Sequence, residues 1–571
     1  MKNTYSRWSI IIISIVLITF RVLYLNHADN ERPNPLTWDA LGYYIYLPAT
    51  FIYEDATDLK WFSAIEKKYN LIGNGDFYQA HQQENGQYVF KYFGGVAIMQ
   101  TPFFLIAHWT AMNTDYPADG FSLPYQYGVL FGAVFYAILG LLFLRVVLLK
   151  YFDDKTVGIT LLFAFLATNF IQYTAVDGAL SHAFIFPLYA LLLLFTQKWH
   201  EKPNILWATL TGLVIGIATI CRPTEAIMVL IPIFWGMHDK EAAKLKWDLV
   251  KKHKTHIYAA AILGIIGILP QLIYWKIATG GFVYNVGSKW SFLSPFFRVL
   301  FGWEKGWFIY TPIALFFMVG FFFMKKFPFK KAVIVYGLLN IYIVISWFIW
   351  RYGASYSTRA LVQSYPVYAL AFAAFIQYVR GTKWRIGFYG LGIYLLALNF
   401  FQLWQYNKNI LHYDDMNRKY YSQIYWNPTP DALDFSLLDT PDWIRKEAKF
   451  QKKTIVKVGN SENIHVAANS NTVLKEISIP QSGDEKERWL KITCNILCEK
   501  GLWQSYLKGS LADKNTRIRL YNPMTQKGQF TKYAFYFKLP KNLKQERFQL
   551  SIDANAEFVG KIEELSVDYL F

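Results

Sequence analysis

Residues 332–379 read AVIVYGLLNIYIVISWFIW, then RYGASYSTR, then ALVQSYPVYALAFAAFIQYV. The two outer runs carry no charge and approach the roughly 20 apolar residues that a membrane-spanning helix needs. The connection between them contains Arg351 and Arg359, although a turn requires only residues such as glycine and serine. Arginine at the edge of a bilayer snorkels, pairs with a carboxylate or binds an anion. The stretch therefore predicts a membrane protein with a cationic hairpin between two spans.

The composition of the whole chain agrees with a helical membrane protein. Of its 571 residues, 54% are hydrophobic, 19% are aromatic and only 17% are charged. The formal charge of +18 comes largely from lysines in short loops between apolar runs, so membrane topology explains it better than nucleic-acid binding does. Three cysteines are too few for a disulfide scaffold. Cys494 and Cys498 would pair only if a turn separated them, because on one straight strand they would lie about 13 Å apart.

About eleven apolar segments are predicted as membrane spans. They are 8–25, 125–148, 156–173, 181–197, 204–221, 223–237, 257–277, 307–324, 332–350, 360–379 and 385–404. The first is interpreted as an uncleaved anchor rather than a signal peptide, because no small-residue cleavage site follows it. Loops rich in Lys and Arg, such as 238–256 and 325–331, mark the cytoplasmic side. This places the N-terminus in the cytoplasm and the hairpin 351–359 outside.

A further apolar segment, 95–110, contains Pro102 and decides the topology of the first loop. If it crossed the membrane, every later basic loop would lie outside, against the usual distribution of Lys and Arg. Residues 26–122 are therefore predicted as one long external loop with juxtamembrane helices. The alternative, in which 95–110 crosses and the N-terminus lies outside, stays open.

The chain changes character after residue 404. Residues 405–450 are polar, aromatic and interrupted by prolines, so they are predicted as a linker after a transmembrane domain formed by residues 1–404. From 451 to 571, short alternating segments such as TIVKV, RWLKITCNI and YAFYFKL predict a periplasmic β-sandwich. This domain is expected either to bind an acceptor or to act as a structural lid.

Several polar residues are predicted to share the external face. Asp39 is a candidate general base because an ordinary aspartate is ionised near pH 7, although Thr37–Asp39 is also consistent with a helix cap. For Lys91 the alternative is a snorkelling interfacial side chain. For Asp177 and His182 it is a structural hydrogen bond, and for Arg222 it is an ion pair with Glu225. The candidate substrate-binding residues are Lys91, Asp177, His182, Arg222, Arg298, Lys305, Arg351, Tyr352 and Arg359.

Together these features resemble the GT-C superfamily of integral-membrane glycosyltransferases, which includes the protein O-mannosyltransferases and the bacterial aminoarabinose transferases. The shared pattern is an acidic residue early in the first external loop (Asp39), many spans and an external C-terminal domain. The segments KYFGGVAIMQTP, CRPTEA, GWFIYTP and SWFIWRYGASYSTRALVQSYP also resemble parts of uncharacterised bacterial relatives. The resemblance covers residues 8–404. The Asp-Glu pair of the O-mannosyltransferases and the Trp-Trp-Asp motif of the oligosaccharyltransferases are absent.

The resemblance implies a sugar donor carried on a polyprenyl phosphate or diphosphate, with Asp39 as catalytic base. It makes Lys91, Arg351 and Arg359 the first candidates for holding the lipid phosphate. The implied acceptor is a periplasmic glycan, lipid or protein, reached from the bacterial inner membrane. No cofactor and no metal ligand are assigned, but a divalent cation stays open, with Asp119, Asp177 and His182 as the only evident helpers.

Other function classes remain consistent with the sequence. A transporter or flippase for a lipid-linked glycan would use the same arginines and apolar groove, but charges near the middle of the bilayer and broken helices are more typical of it. A glycan polymerase or ligase shares the donor and the external site. A non-catalytic scaffold would leave the polar external face unexplained.

Overall fold

The computed structural model describes residues 4–24, 34–73, 75–479, 487–526, 528–541 and 547–571. Residues 26–33, the start of the predicted external loop, lie outside the described residues. The chain divides into two compact units, residues 1–400 and 401–571.

The first unit is mainly helical. Its α-helices are α1 Thr4–Leu23, α2 Trp38–Tyr44, α3 Tyr46–Phe51, α4 Phe62–Tyr69, α5 Gly95–Met112, α6 Leu123–Leu149, α7 Asp154–Leu166, α8 Ser181–Glu201, α9 Ile205–Cys221, α10 Leu230–Phe234, α11 Lys240–Lys252, α12 Lys254–Thr279, α13 Arg298–Phe301, α14 Trp307–Tyr310, α15 Leu315–Gly320, α16 Lys330–Ser346, α17 Tyr365–Arg380 and α18 Arg385–Asn407, the last of which continues into the second unit. Strands β1 Ala80–Gln82 and β2 Tyr88–Phe90 form a small antiparallel hairpin between α4 and α5.

Five helices among the described residues are long and apolar enough to cross a membrane. They are Thr4–Leu23, Leu123–Leu149, Lys254–Thr279, Arg359–Arg380 and Arg385–Asn407. The sequence-based count of about eleven spans was therefore wrong. Three further apolar helices, Ile205–Cys221, Pro223–Phe234 and Pro312–Phe323, are shorter. Helix α5 is not among the five, and its failure to cross the membrane stays a prediction.

The overestimate has a physical cause, because apolar residues indicate burial but not an unbroken helix. The predicted span 156–173 stops being α-helical at Leu166, and a π-helix occupies Gln172–Val176. The predicted span 307–324 is divided at Pro312 into short α- and 3₁₀-helical pieces. Helix α16 ends at Ser346, after which Trp347 pairs with Trp290 in an isolated β-bridge.

Small residues allow helices α9 and α12 to approach closely. A Cβ on Gly212 would lie 1.8 Å from the carbonyl oxygen of Ala260, and one on Gly216 would lie 2.3 Å from that of Gly264. Glycines four residues apart permit this packing between membrane helices. The contact fixes α9, which ends at Cys221 and is followed by Arg222 in extended backbone.

The second unit contains two antiparallel sheets whose buried residues form one hydrophobic cluster. Its elements are α19 Arg418–Ile424, α20 Ala432–Ser436, β3 Lys452–Val458, β4 Glu462–Val466, β5 Ser470–Ser478, β6 Trp489–Lys500, β7 Ser505–Leu511, β8 Lys514–Arg519, β9 Thr531–Lys538, β10 Arg547–Ala554 and β11 Phe558–Leu570. One sheet has the order β5-β10-β7-β8 and the other β3-β11-β6-β9, with β4 also paired to β11. The sequence reading anticipated the antiparallel strands but missed β4 and β7.

Residues 405–450 contain α19 and α20 and make polar contacts with the strands. Asp439 accepts hydrogen bonds from the Arg519 guanidinium, the closest at 2.7 Å, and Lys514 donates to Asp442 at 2.6 Å. Cys494 and Cys498 lie on the single strand β6 and are free. Four residues of extended strand separate their Cα atoms by about 13 Å, too far for a disulfide.

Candidate functional site

A cavity of about 530 Å³ lies within the first unit. Its walls come from α2, the connection between β2 and α5, the starts of α8 and of the 3₁₀ helix after α9, the end of α16, and the hairpin that follows α16. Six of the ten residues singled out in the sequence as catalytic or substrate-binding line the cavity. They are Asp39, Lys91, His182, Arg222, Tyr352 and Arg359. The cavity thus unites six of those candidates, although they are spread over more than 300 positions of the chain, as the separation of 320 between Asp39 and Arg359 illustrates.

Asp39 accepts hydrogen bonds on both of its carboxylate oxygens. Its Oδ2 accepts a hydrogen bond from Nη2 of Arg359 at 2.5 Å. Its Oδ1 accepts from the hydroxyls of Tyr92 at 2.6 Å and Tyr78 at 3.0 Å. The Asp39 side chain is 28% exposed and that of Arg359 is 12% exposed. The carboxylate is therefore held on both oxygens while still facing the cavity.

The local backbone aims Asp39 at these partners. Helix α2 begins at Trp38, whose φ of 51° is uncommon for a bulky residue. Thr37 is the N-cap but makes no side-chain capping bond, and the Asp39 carboxylate bonds to side chains rather than to the helix terminus. Residues 37–39 do start a helix, as the alternative interpretation of the sequence held. The Asp39 carboxylate, however, does not cap that helix.

Gly42, one turn after Asp39, makes room for Tyr92. A Cβ at position 42 would lie 2.1 Å from Cδ2 of the Tyr92 ring, far inside van der Waals contact. The Tyr92 ring also packs edge-on against Tyr43, with centroids 4.7 Å apart. Glycine is thus required at position 42 for the Tyr92 hydroxyl to reach Asp39.

The electrostatic surroundings keep Asp39 ionised. Burial by itself would raise the pKa of Asp39, but the Arg359 guanidinium and the hydroxyls of Tyr92 and Tyr78 outweigh it and lower that pKa below its usual value. Burial, reinforced by the nearby carboxylate, raises the pKa of Tyr78 and of Tyr92. Both tyrosines therefore remain protonated and act as hydrogen-bond donors to Asp39 near neutral pH.

Two further cations, Lys91 and Arg222, line the cavity. The ammonium of Lys91 lies 5.2 Å from the centre of the Tyr78 ring and 6.0 Å from that of Tyr92. Within the described parts of the chain, neither Lys91 nor Arg222 forms an ion pair. The suggested ion pair between Arg222 and Glu225 is thus not formed. These two side chains supply positive charge that an anionic ligand can neutralise.

Glu225 instead belongs to a chain of buried hydrogen bonds in the cavity wall. It accepts hydrogen bonds from the hydroxyl of Tyr189 and, at 3.1 Å, from Nε2 of Gln363. Gln363 Oε1 lies 2.8 Å from Nδ1 of His182. The chain fixes the orientation of the His182 ring, which has a structural hydrogen bond of the kind the alternative interpretation proposed.

The remaining candidate cations lie outside the cavity. The guanidinium of Arg298 stacks on Trp350 at 4.1 Å, and that of Arg351 lies 5.3 Å from the centre of the same ring. Lys305 is buried, and its ammonium donates to the carbonyl oxygens of Arg351, at 2.9 Å, and of Gly353. Lys305 therefore braces the hairpin from behind.

The two proposed acidic helpers also lie elsewhere. Asp177 is not part of the cavity wall; it accepts a hydrogen bond from Gln172 at 2.9 Å, and burial raises its pKa. Asp119 accepts hydrogen bonds from Lys68 and Tyr69, both at 2.7 Å. In the part of the chain that the structure describes, no three His, Cys, Asp or Glu side chains are grouped as a metal site.

The sequence analysis missed the residues that orient Asp39. Tyr78 and Tyr92 contact it directly, and Gln363 bridges His182 to Glu225. Only Tyr92 carried a signal, since it is adjacent to Lys91 and precedes two glycines in the segment KYFGG.

The opposite side of the cavity is apolar. It is lined by Trp290, Ile343, Val344, Trp347 and Ile349. Nearby segments of the first unit expose large apolar side chains to an unusual degree, among them Leu293, which is fully exposed, and Val283, at 79%. Such exposure is characteristic of a membrane- or partner-facing surface.

No protein-family model matches the chain, and no curated protein matches it at a significant level.

Proposed function

We propose that the protein is a membrane glycosyltransferase of the GT-C type that transfers a sugar from a polyprenyl-phosphate donor to a glycan, lipid or protein. The observation that carries the proposal is the cavity that combines Asp39 with the cations Lys91, Arg222 and Arg359. Ionised carboxylates serve as proton acceptors, and arginine and lysine are the usual ligands of phosphate. The proposed location is the bacterial inner membrane, with the cavity opening to the periplasm.

The proposed reaction is a substitution with inversion at the anomeric carbon. The acceptor oxygen or nitrogen forms a bond to that carbon as the bond to the donor phosphate oxygen breaks. Asp39 takes the acceptor proton, and the lipid phosphate leaves with the electron pair. Lys91, Arg222 and Arg359 stabilise the growing negative charge; removal of one such fixed donor typically costs about 10²–10³ in rate.

The apolar wall supports a lipid-linked donor over a free nucleotide sugar. Trp290, Trp347 and Ile349 offer contacts for the first isoprene units beside the cationic part of the cavity. The proposed β-sandwich formed by residues 451–571 is the candidate domain for acceptor binding. The phosphate and the prenyl chain thus account for the two chemically different sides of the cavity.

A flippase for the same kind of lipid-linked sugar is the second candidate, favoured by one observation. The apolar segment 307–324 is interrupted at Thr311, between α14 and the helix Pro312–Phe323. Broken helices near a substrate site are typical of transporters. A flippase moves the donor without breaking its glycosidic bond, so the products of the two activities differ.

The test compares Asp39→Asn with wild-type protein in nanodiscs supplied with extracted lipid-linked sugar donors and cell-envelope acceptors. Loss of a general base typically costs about 10²–10⁴ in rate, so transfer should fall at least a hundredfold. Asp58→Asn is the matched control, because Asp58 lies on the surface of the same predicted external loop and, among the described residues, forms a salt bridge with Lys60 alone, at 2.8 Å. Undiminished transfer by the Asp39 variant would remove Asp39 as base. Translocation without transfer in proteoliposomes would favour the flippase.

A further inference from the structure

We propose that the ion pair between Arg359 and Asp39 is a latch that the donor phosphate opens, so that Asp39 becomes an effective base only after the donor has bound. This inference rests on the proposed function and assigns Arg359 a second role, as a residue that positions and restrains the base. It makes sugar transfer an ordered process in which the lipid-linked donor precedes the acceptor.

The closed latch is visible in the hydrogen bonds of Asp39. Oδ2 is engaged by Arg359 at 2.5 Å, and Oδ1 is engaged by Tyr92 and Tyr78. A carboxylate whose two oxygens both accept from strong donors is a weak proton acceptor, because its negative charge is already stabilised. Opening one of these bonds would make the carboxylate a stronger base toward an acceptor hydroxyl.

The position of the other charges shows which bond opens. Lys91 and Arg222 line the same cavity and have no carboxylate partner among the described residues. They attract an anion to the place where Arg359 already lies. The phosphate of a lipid donor presents several oxygens in a geometry that suits the planar guanidinium fork. The phosphate therefore competes with Asp39 for Arg359, whereas the neutral tyrosine hydroxyls have no comparable reason to leave the carboxylate.

The hairpin leaves room for Arg359 to turn. Gly353, which has a φ of 66° and lines the cavity, is the neighbour of Nη2 of Arg359: a Cβ there would lie 3.7 Å from that atom. Because position 353 carries no side chain, no Cβ occupies the volume next to the guanidinium. Rotation toward the phosphate would leave Asp39 oriented by Tyr92 and Tyr78 and relieved of its nearest cation.

The latch makes an unusual prediction: loss of the catalytic carboxylate should strengthen donor binding. The experiment measures the Kd of farnesyl monophosphate, a short prenyl phosphate, for full-length protein in nanodiscs, with farnesol as the uncharged control. The variants are Asp39→Asn, Arg359→Gln and the combination of both. Asp39→Asn should bind at least about tenfold more tightly than wild type, since the hydrogen bond of Arg359 becomes available to the phosphate.

The double variant separates the latch from a general charge effect. In the Arg359→Gln background, the gain from Asp39→Asn should shrink to less than about threefold, because only a screened change in charge remains. An equal gain in both backgrounds would overturn the latch. If Arg359→Gln does not fold, Glu225→Gln replaces it: Glu225 also lines the cavity and, among the described residues, forms no salt bridge with an arginine, so a gain equal to that of Asp39→Asn would overturn the latch as well.

The outcomes also distinguish this inference from the proposed function. If neither wild type nor Asp39→Asn binds farnesyl monophosphate, the donor assignment fails and the latch fails with it. If wild type binds the phosphate, and not farnesol, but Asp39→Asn binds no more tightly, the latch alone is wrong. Tighter binding by a variant that no longer transfers sugar supports both.

Discussion

Substitution of Gly42 by alanine tests whether Tyr92 controls Asp39. The new Cβ would lie 2.1 Å from the Tyr92 ring, whereas carbon atoms in contact are about 3.5–4.0 Å apart. The ring must therefore retreat by about 1.5 Å. Its hydroxyl now lies 2.6 Å from Asp39 Oδ1, so a retreat of this size exceeds the range of a hydrogen bond.

The magnitude follows from the bond that is lost. A hydrogen bond to a charged group contributes about 1.5–3 kcal/mol, equivalent to about 10- to 100-fold in rate if Asp39 must be held in place for transfer. Gly42→Ala should lower sugar transfer by this factor and reduce the thermal stability of the detergent-solubilised protein. Gly390→Ala is the matched control, because nothing lies within 4 Å of a Cβ built at that exposed position of α18.

Tyr92→Phe identifies the route of the effect. This change removes the hydroxyl but keeps the ring, so it should lower transfer to a similar extent with less loss of stability. In the Tyr92→Phe background, Gly42→Ala should slow transfer little further, because the bond to Asp39 is already absent. Wild-type transfer by Gly42→Ala, or an undiminished additional loss in the Tyr92→Phe background, would refute the reasoning.

Three further predictions concern residues away from Asp39. Burial lowers the pKa of Lys246 from its ordinary value of 10.5 to about 7. Between these two pH values the unfolded chain binds the proton more strongly than the folded chain does. The free energy of unfolding should therefore rise with pH across this window. Lys246→Met should flatten that rise in thermal unfolding curves, and an unchanged slope would contradict the assignment. Lys305→Met should lower stability by about 1–3 kcal/mol, because the carbonyl oxygens behind the hairpin lose their donor; Lys289→Met, at an exposed position, should not. Gly212→Ala should cost about 1–3 kcal/mol by forcing α9 away from α12, and unfolding at the wild-type temperature would show that the two helices separate without strain.

The sequence was a good guide to composition and a poor one to helix continuity. Apolar runs marked the helical unit, and alternating segments marked the antiparallel sheets. The same apolarity did not reveal that the segment around Pro312 is divided or that α16 ends at Ser346, because these breaks depend on local backbone preferences and on pairing with residues 290–296. Hydrophobicity reports the environment of a side chain, whereas helix length depends on an unbroken ladder of backbone hydrogen bonds.

The candidate site was predictable in its charges but not in its contacts. Asp39, Lys91, Arg222 and Arg359 stood out because ionisable residues at the ends of apolar segments are costly and tend to be functional. Their pairing could not be inferred, since Asp39 and Arg359 are 320 positions apart and the sequence offered Asp177, Glu225 and Glu304 as equally reasonable partners for an arginine of the hairpin. Tyr78 had no distinguishing feature in a chain with 40 tyrosines.

The two arginines of the hairpin turn out to have different surroundings, and this difference explains why a turn of glycine and serine would not suffice. Arg351 lies over the ring of Trp350 in a cation–π contact. Arg359, eight residues later, starts the 3₁₀ helix that leads into α17 and reaches Asp39 in the cavity. The Lys305 ammonium donates to the carbonyl oxygens of Arg351 and Gly353 and so holds the backbone of the hairpin in place. The hairpin thus places one arginine against Trp350 and the other against the acid that we propose as the catalytic base.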